Sequence, residues 1–222
     1  MLFKSKKLSE ELPLEILSKN SAIEFKEAYN KLASNVIYLP LESECKKIAV
    51  TSANYGEGKT ASAINLSIAL AQNLIDKKVL LIDADMRLSK VGEFIGELSS
   101  VSETGLSDAL ANSGASFSVV KTGIENLDVI FAGSKLDNPS GLINSDRMKS
   151  FLSSLDGEYD YVIIDTPPLN VVSDAILLIG HIDGYILSTR IKHSKVTAID
   201  AATDVLEGVG AKVFGFIVSD VK

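Results

Sequence analysis

The sequence has no tryptophan, one cysteine and two histidines, and each scarcity excludes a class of site. With Cys45 alone, no disulfide can form within the chain, and a free thiol fits a reducing cytoplasm. His181 and His193 stand apart from any cysteine pair, so a zinc site is not expected. No apolar run approaches the roughly 18–20 residues that span a bilayer, and the N-terminus lacks a signal peptide's apolar stretch. We therefore expect a cytoplasmic protein.

Positive charge is also in short supply. The chain carries 22 Lys and Arg residues against 29 Asp and Glu residues, a net charge of −7. An acidic surface repels phosphate backbones, so we expect no nucleic-acid partner. The 222 residues are 46% hydrophobic, which is enough for the core of one α/β domain. We predict an irregular N-terminal arm over residues 1–21 and one folded domain over residues 22–222.

Short apolar runs rich in valine and isoleucine alternate with helical patterns along the domain. Such runs are typical of strands buried on both faces, so we predict a parallel, twisted sheet with helices on both faces. The predicted strands are KKIAVTS, KKVLLIDAD, NLDVIFAG, YDYVIID, DGYILST and AKVFGFIVS. The predicted helices are AIEFKEAYNKLASNVIYL, Lys59 to about Leu74, GLSDALAN, PSGLINSDRMKSFLSSL and Val196 to Glu207. Ligands of such sheets bind beyond the carboxyl ends of the strands.

The segment IAVTSANYGEGKTASAINLS reads as strand, glycine-rich loop and helix, the context of a P-loop. Glycines let backbone N–H groups face phosphate oxygens, the lysine adds a positive charge, and the threonine hydroxyl can bind Mg²⁺. Ala53 stands where the pattern has its first glycine. The sequence predicts a P-loop NTPase fold that binds a nucleoside triphosphate and Mg²⁺ through Gly56, Glu57, Gly58, Lys59, Thr60 and Ala61. The alternative is a glycine-rich turn that caps a helix beside an incidental lysine.

Three aspartates lie at the ends of predicted strands. Asp83 and Asp85 belong to DADMR, and residues two apart on a strand point to the same side. Paired carboxylates near a P-loop can hold Mg²⁺ or accept a proton from an attacking hydroxyl. Asp165 ends YVIID and is expected near the Mg²⁺ ion. Each aspartate alone could equally be a turn or helix cap.

The order of motifs carries a family resemblance. A P-loop followed by IDADMR, GLSDAL, AGSKLDNPSGLINS and DYVIIDTPP resembles the bacterial protein-tyrosine kinases of capsular and exopolysaccharide synthesis, from about Glu27 to Ser219. That family belongs to the P-loop ATPases that include the MinD and ParA proteins. The resemblance implies ATP as the nucleotide and a catalytic set of Lys59, Asp83, Asp85 and Arg87, with Mg²⁺ arranged by Thr60, Asp85 and Asp165. Asp83 would accept the proton of the attacking tyrosine, and Arg87 would meet a phosphate or an acidic residue, unless it is a simple surface arginine.

The same resemblance implies a partner. Members of the family act with a membrane-embedded polysaccharide co-polymerase, or adaptor, whose cytoplasmic tail completes the active state. We therefore expect a cytoplasmic chain that its adaptor recruits to the inner face of the cell membrane.

Several positions depart from the family pattern. The sequence ends in FIVSDVK, without the family's usual tyrosine cluster. Asn30 and Ala33 replace two arginines that pack neighbouring subunits into a ring, so any homo-oligomer should be weaker than the family's rings. Tyr55 replaces a proline before Gly56. Ser219 stands where the family has an asparagine that contacts adenine, and is the expected nucleotide contact there.

Two other functions remain open beside the tyrosine kinase. One is a catalytically silent, ATP-binding regulatory module of the same system, which the missing tyrosine cluster and arginines favour. The other is a positioning ATPase of the MinD and ParA type. Asn54 speaks against this last interpretation, because that group has a signature lysine at the same place in its P-loop.

Overall fold

A seven-stranded sheet forms the centre of the protein in the computed structural model, which describes residues 15–95 and 104–220. The strands are β1 (Lys46–Ser52), β2 (Val79–Asp83), β3 (Val120–Lys121), β4 (Leu127–Ile130), β5 (Tyr161–Asp165), β6 (Gly184–Arg190) and β7 (Val213–Ser219). Their order across the sheet is β3-β4-β2-β5-β1-β6-β7. All neighbouring pairs are parallel except β3 with β4. The carboxyl ends of β1, β2 and β5 therefore meet near the middle of one edge.

Helices cover both faces of the sheet, as predicted. They are α1 (Ile23–Ile37), α2 (Lys59–Asn73), α3 (Val91–Ile95), α4 (Leu106–Ala111), α5 (Pro139–Ile143), α6 (Asp146–Ser154) and α7 (Val196–Gly208). One core cluster joins α1, α2 and α3 to one face, and two further clusters join α4, α6 and α7 to the other. Within the described residues, no helix is long and apolar enough to cross a membrane.

The predicted parallel sheet is confirmed, with one antiparallel edge strand that the sequence did not reveal. The two-residue strand β3 runs antiparallel to β4, and a five-residue turn joins them. Thr122 closes that turn, since its hydroxyl donates to the Leu127 carbonyl oxygen at 2.7 Å. Asn126 completes it with a φ of 65°. A strand this short gives no hydrophobic period by which the sequence could reveal it.

The single helix predicted over PSGLINSDRMKSFLSSL is two helices, α5 and α6. Asn138 begins α5, with its side-chain oxygen accepting from the Gly141 amide at 3.2 Å. Ser145 begins α6, because its hydroxyl oxygen accepts from the Met148 amide at 3.2 Å. A serine cap inside an apparently continuous helical pattern is therefore the physical reason for the break.

The predicted N-terminal arm lies partly outside the described residues. Residues 15–21 form neither helix nor strand. Asn65 of α2 holds this segment, because its side chain accepts from the Leu17 amide at 2.7 Å and donates to the Glu15 carbonyl at 2.9 Å. The Leu17 side chain joins the core beside α2. The domain boundary at residues 21 and 22 stays a prediction.

The GLSDAL and AGS motifs form one packed corner. The Asp108 carboxylate accepts from the Gly105 amide at 2.8 Å and from the Ser134 amide at 3.1 Å. Gly133 lies between them with a φ of 83°, and a Cβ there would come within 2.3 Å of Asp108 Oδ2 and 2.8 Å of the Gly105 nitrogen. The corner ties α4 to the end of β4, so both motifs are explained by packing.

Gly133→Ala is expected to destabilise the fold by about 3 kcal/mol, because a left-handed backbone and a steric overlap act together. Gly157→Ala is the matched control, since Gly157 has a φ of 81° but no atom within 4 Å of the position that a Cβ would take. The control should lose only about 1 kcal/mol. Urea unfolding of both variants measures the difference, and equal losses would contradict the packed corner.

Candidate functional site

The P-loop joins β1 to α2 and needs two glycines. Gly56 has a φ of 78° and Gly58 a φ of 82°, a left-handed conformation that favours glycine. Gly58 is the residue before α2. The N–H groups in the first turn of a helix have no partner within the helix, and the positive end of its dipole lies there. The loop therefore offers a phosphate chain backbone donors and positive potential.

Side chains from the loop itself and from β6 fix its shape. The Glu57 carboxylate, which is buried, accepts from the Asn54 amide at 2.9 Å. The Ser188 hydroxyl donates to the Glu57 carbonyl oxygen at 2.6 Å. The Glu57 carboxylate thus stabilises the loop itself, and the expected contact of Glu57 with the nucleotide stays a prediction.

A basic turn after β6 also touches the loop. Arg190 Nη1 donates to the Gly56 carbonyl oxygen at 3.4 Å, and His193 Nε2 lies 3.2 Å from the Tyr55 carbonyl oxygen. The sequence did not single out Arg190 or His193 for this role. Only the pairing of β1 with β6 brings them to the loop, and no local motif signals that pairing.

Lys59 lies where the P-loop meets the carboxylates. Its Nζ is 2.7 Å from Asp85 Oδ2, 3.6 Å from Asp165 Oδ1 and 3.3 Å from the Thr60 hydroxyl. Burial alone would lower the pKa of this ammonium group, but the charges of Asp165 and Asp85 outweigh burial and raise it. Lys59 therefore keeps its positive charge in a buried site.

Asp83 and Asp85 are both buried at the end of β2. Asp83 Oδ1 accepts from the Asp85 amide at 3.1 Å, and its Oδ2 accepts from the Ser89 hydroxyl at 2.6 Å. Burial raises the pKa of Asp83 to about 7, the nearby Asp165 charge adds to the rise, and the Ser89 hydrogen bond opposes it. A carboxyl group with a pKa near neutral suits a proton acceptor.

Asp165 is fully buried opposite Asp83 on the neighbouring strand. Neither carboxylate oxygen accepts a hydrogen bond from a described residue. Burial raises the pKa of Asp165, and the charge of Lys59 opposes that rise. The Lys59 ammonium group, 3.6 Å from Oδ1, compensates part of this charge, but buried carboxylate oxygens without hydrogen-bond donors remain costly. They fit a hard cation such as Mg²⁺, for which oxygen ligands are preferred.

No group of three or more acidic, histidine or cysteine side chains could hold a metal ion among the residues that the structure describes. Protein carboxylates alone would therefore not fill the shell of an ion beside Asp165. Magnesium in nucleotide sites commonly keeps water and phosphate oxygens as ligands. The predicted set of Thr60, Asp85 and Asp165 is compatible with that kind of shell.

Arg87 contacts an acidic residue, which is one of the two contacts expected for it. Its Nε and Nη2 lie 2.7 Å and 3.1 Å from the two oxygens of Asp174, and Nη2 donates to the Ser140 hydroxyl at 2.8 Å. Asp174 is fully buried. This bidentate pair ties the DADMR segment to the NPS segment and to the irregular chain after β5.

Ser219 lies beside the P-loop at the end of β7. Its hydroxyl donates to the Thr189 carbonyl oxygen at 3.1 Å. It is also 3.6 Å from where a Cβ of Gly58 would stand. The two ends of the predicted site, residues 56–61 and Ser219, are thus adjacent in space, although their predicted nucleotide contacts stay predictions.

Comparisons with known proteins agree with this geometry. The sequence model of the AAA domain family matches residues 45–209. The chain is 34% identical over 195 residues to the tyrosine-protein kinase CpsD of Streptococcus pneumoniae serotype 4, an alignment that covers 87% of this chain and 83% of CpsD. The kinase domain of the Escherichia coli tyrosine kinase ETK superposes with a TM-score of 0.80 at 31% identity, over 88% of this chain and 75% of that one.

A more distant structural likeness concerns MinD of Pyrococcus horikoshii in complex with Mg-ADP. It has a TM-score of 0.64 at 28% identity and covers 78% of this chain and 70% of the MinD chain. The kinase domain is therefore the better structural match.

Proposed function

We propose that this chain, which belongs to the family of bacterial tyrosine-protein kinases, transfers the γ-phosphoryl group of ATP to a tyrosine hydroxyl. The observation that carries the proposal is the cluster at the mouth of the P-loop. There one buried lysine, Lys59, meets Asp85 and Asp165, with Asp83 beside them. Such a cluster has both the positive charge that binds phosphates and a carboxylate that can accept a proton.

In the proposed reaction the P-loop amides and Lys59 hold the triphosphate. The phenol oxygen bonds to the γ-phosphorus, the bond from that phosphorus to the β-phosphate oxygen breaks, and ADP leaves. Asp83 accepts the phenol proton. The catalytic contribution of the chain is mainly positioning and charge neutralisation.

Thr60, Asp85 and Asp165 would hold Mg²⁺. When bound, the ion neutralises developing negative charge on the phosphate oxygens. The two Asp165 oxygens support this assignment, because they accept no hydrogen bond from the described part of the chain. Arg87 supports the centre from outside, because its guanidinium anchors the DADMR segment to Asp174.

The finer biological role follows from the family resemblance. The chain would regulate capsular or exopolysaccharide synthesis, and the cytoplasmic tail of a membrane adaptor would recruit it to the inner face of the membrane. Self-association would be weaker than in the family's rings, because Asn30 and Ala33 carry no charge where the family has arginines. Light scattering that showed a stable octamer at micromolar concentration would contradict that expectation.

The test follows the label from γ-labelled ATP. The purified chain is incubated with Mg²⁺, the adaptor's cytoplasmic tail and a glutamate–tyrosine copolymer, with Lys59→Met as the inactive control. Label on tyrosine, absent with the control, is the expected result. Label only in free phosphate would indicate a positioning-type ATPase instead. Label that stays on ATP would indicate the regulatory ATP-binding module.

A further inference from the structure

The tyrosines of this chain differ sharply in how available their hydroxyl groups are. There are six, and all lie in the described residues. The Tyr185 hydroxyl donates to the Ala175 carbonyl oxygen at 2.8 Å in the core, and the Tyr159 hydroxyl donates to Asp128 at 2.8 Å. Tyr161 is buried in β5. None of these three can enter an active site without unfolding part of the sheet.

Tyr29 is also engaged. It packs against Phe25 and the core, close to the side chains of Asn65 and Ser62. Burial raises the pKa of Tyr29, consistent with a phenol held away from water. Two tyrosines are left exposed, Tyr38 at 84% and Tyr55 at 41%.

Tyr55 is a poor acceptor because it is part of the loop that would hold ATP. Its carbonyl oxygen lies 3.2 Å from His193, and the next residue, Gly56, has a left-handed backbone. If Tyr55 entered the active site of another molecule, the P-loop that contains Tyr55 would lose its folded conformation.

Tyr38 has none of these side-chain constraints, although its backbone N–H donates to the Ser34 carbonyl oxygen at 3.1 Å. It follows the last residue of α1, and its hydroxyl hydrogen bonds to no side chain or backbone group in the described part of the chain. The segment from Tyr38 to Cys45 contains no helix or strand. Presenting this phenol in an extended conformation would break the Tyr38 N–H bond to α1 and the Lys46 bonds to the flanking carbonyls, but no strand of the sheet.

The position of Tyr38 excludes its own active site. Lys46, the first residue of β1, donates through Nζ to the Ile37 carbonyl oxygen at 2.6 Å and the Leu39 carbonyl oxygen at 3.3 Å. Tyr38 is thereby held at the amino end of β1, while the P-loop follows Ser52 at the carboxyl end. The strand between them is roughly 20 Å long. Tyr38 is therefore out of reach of its own P-loop, and within this system a second copy of the chain would have to phosphorylate it.

Charge favours such an encounter. Glu42 and Glu44 are exposed close after Tyr38. The turn that touches the P-loop carries Lys192 and Lys195, which are exposed on a chain of net charge −7, along with Arg190. An acidic acceptor segment and a basic turn at the mouth of the site are complementary.

We propose that Tyr38 is a phosphorylation site of this chain, modified in trans by a second copy; the proposal rests on the kinase function above. The Tyr38 phenol oxygen bonds to the γ-phosphorus of ATP, the bond to the β-phosphate oxygen breaks, and the phenol proton passes to Asp83 of the copy that holds ATP. The products are phosphotyrosine 38 and ADP.

The test separates donor from acceptor. The acceptor is a tagged, full-length Lys59→Met chain, and the donor is an untagged Tyr38→Phe chain, with γ-labelled ATP, Mg²⁺ and the adaptor tail. Label should appear on the acceptor and fall at least tenfold when the acceptor also carries Tyr38→Phe. An acceptor with Tyr55→Phe is the matched control and should keep its label. Thermal unfolding of each acceptor checks that it is folded.

A parallel reaction of the donor with the glutamate–tyrosine copolymer distinguishes the two possible failures. If the copolymer is labelled while the acceptor is unlabelled, or is labelled at a tyrosine other than Tyr38, the Tyr38 site is overturned and the kinase stands. If neither the copolymer nor the acceptor is labelled, both the kinase function and the Tyr38 site are overturned. Label on both substrates, with peptide mapping to Tyr38, supports both.

Discussion

Lys59→Met should abolish tight ATP binding and lower ATP turnover at least about 100-fold, the scale expected when a single donor to the reacting phosphates is removed. Lys59 is the ammonium group within reach of Asp85 and Asp165, at 2.7 Å and 3.6 Å. Methionine fills similar space but leaves those buried carboxylates without a cation. Added phosphates would then bring more negative charge into a site that already has an excess. Calorimetric ATP titration and phosphate release measure the effect.

Lys47→Met is the matched control for that experiment. Lys47 and Lys59 are equally buried, each with a side chain 10% exposed, and each pairs with an aspartate. Lys47 pairs with Asp156 at the opposite end of β1. Lys59→Met should lose up to about 3 kcal/mol of stability, because it leaves two buried carboxylates without their cation. Lys47→Met should lose only about 1 kcal/mol or less, because the Asp156 side chain is 52% exposed and stays hydrated. Only the Lys59 variant should lose ATP binding. ATP hydrolysis that is unchanged by Lys59→Met would contradict the P-loop assignment.

Much of the centre could be predicted from the sequence because its parts have local signals. Lys59 and Thr60 lie in a strand–loop–helix pattern, and Asp83 and Asp165 each end a run of apolar residues. Parallel strands bring such ends to one edge of the sheet, so a one-dimensional pattern was enough to place them together. The structure pairs Asp83 with Asp165 across adjacent strands.

Other parts of the centre have no local signal. Asp174 lies in an irregular segment 87 residues from its partner Arg87, and nothing in the spacing links them. The basic turn with Arg190 and His193 reaches the P-loop only because β6 lies beside β1. Strand order is a long-range property, which patterns of hydrophobicity within each strand do not encode.

The same distinction explains what the fold prediction missed. The six longer strands are nearly continuous apolar runs and were predicted. The two-residue β3 depends on the turn closed by Thr122, and its side chains show no hydrophobic period. The break between α5 and α6 depends on the side-chain rotamer of Ser145, which can cap a helix or sit inside one.

Asp83→Asn should lower tyrosine phosphorylation by about 10²–10⁴-fold while ATP binding persists, because an amide cannot accept the phenol proton. The substitution preserves size and most contacts. The side-chain oxygen of the new asparagine can still accept from the backbone N–H of Asp85, which lies 3.1 Å from Asp83 Oδ1 in the wild-type chain. The Ser89 hydroxyl can rotate to accept from the new side-chain NH₂ group. The fold and the P-loop should therefore be intact. The measurement is the initial rate of copolymer phosphorylation beside the dissociation constant for ATP.

Asp128→Asn serves as its control, since Asp128 is a buried strand carboxylate that accepts from Lys121 and Tyr159 well away from the P-loop. It should leave the phosphorylation rate unchanged. If Asp83→Asn also left the rate unchanged, the phenol proton would have to pass to another acceptor or directly to water, and Asp83 would be a structural residue that orders the Asp85 backbone. If ATP binding and the rate fell together, Asp83 would act through the nucleotide site. Only a fall in rate with ATP binding retained separates proton transfer from both of these roles.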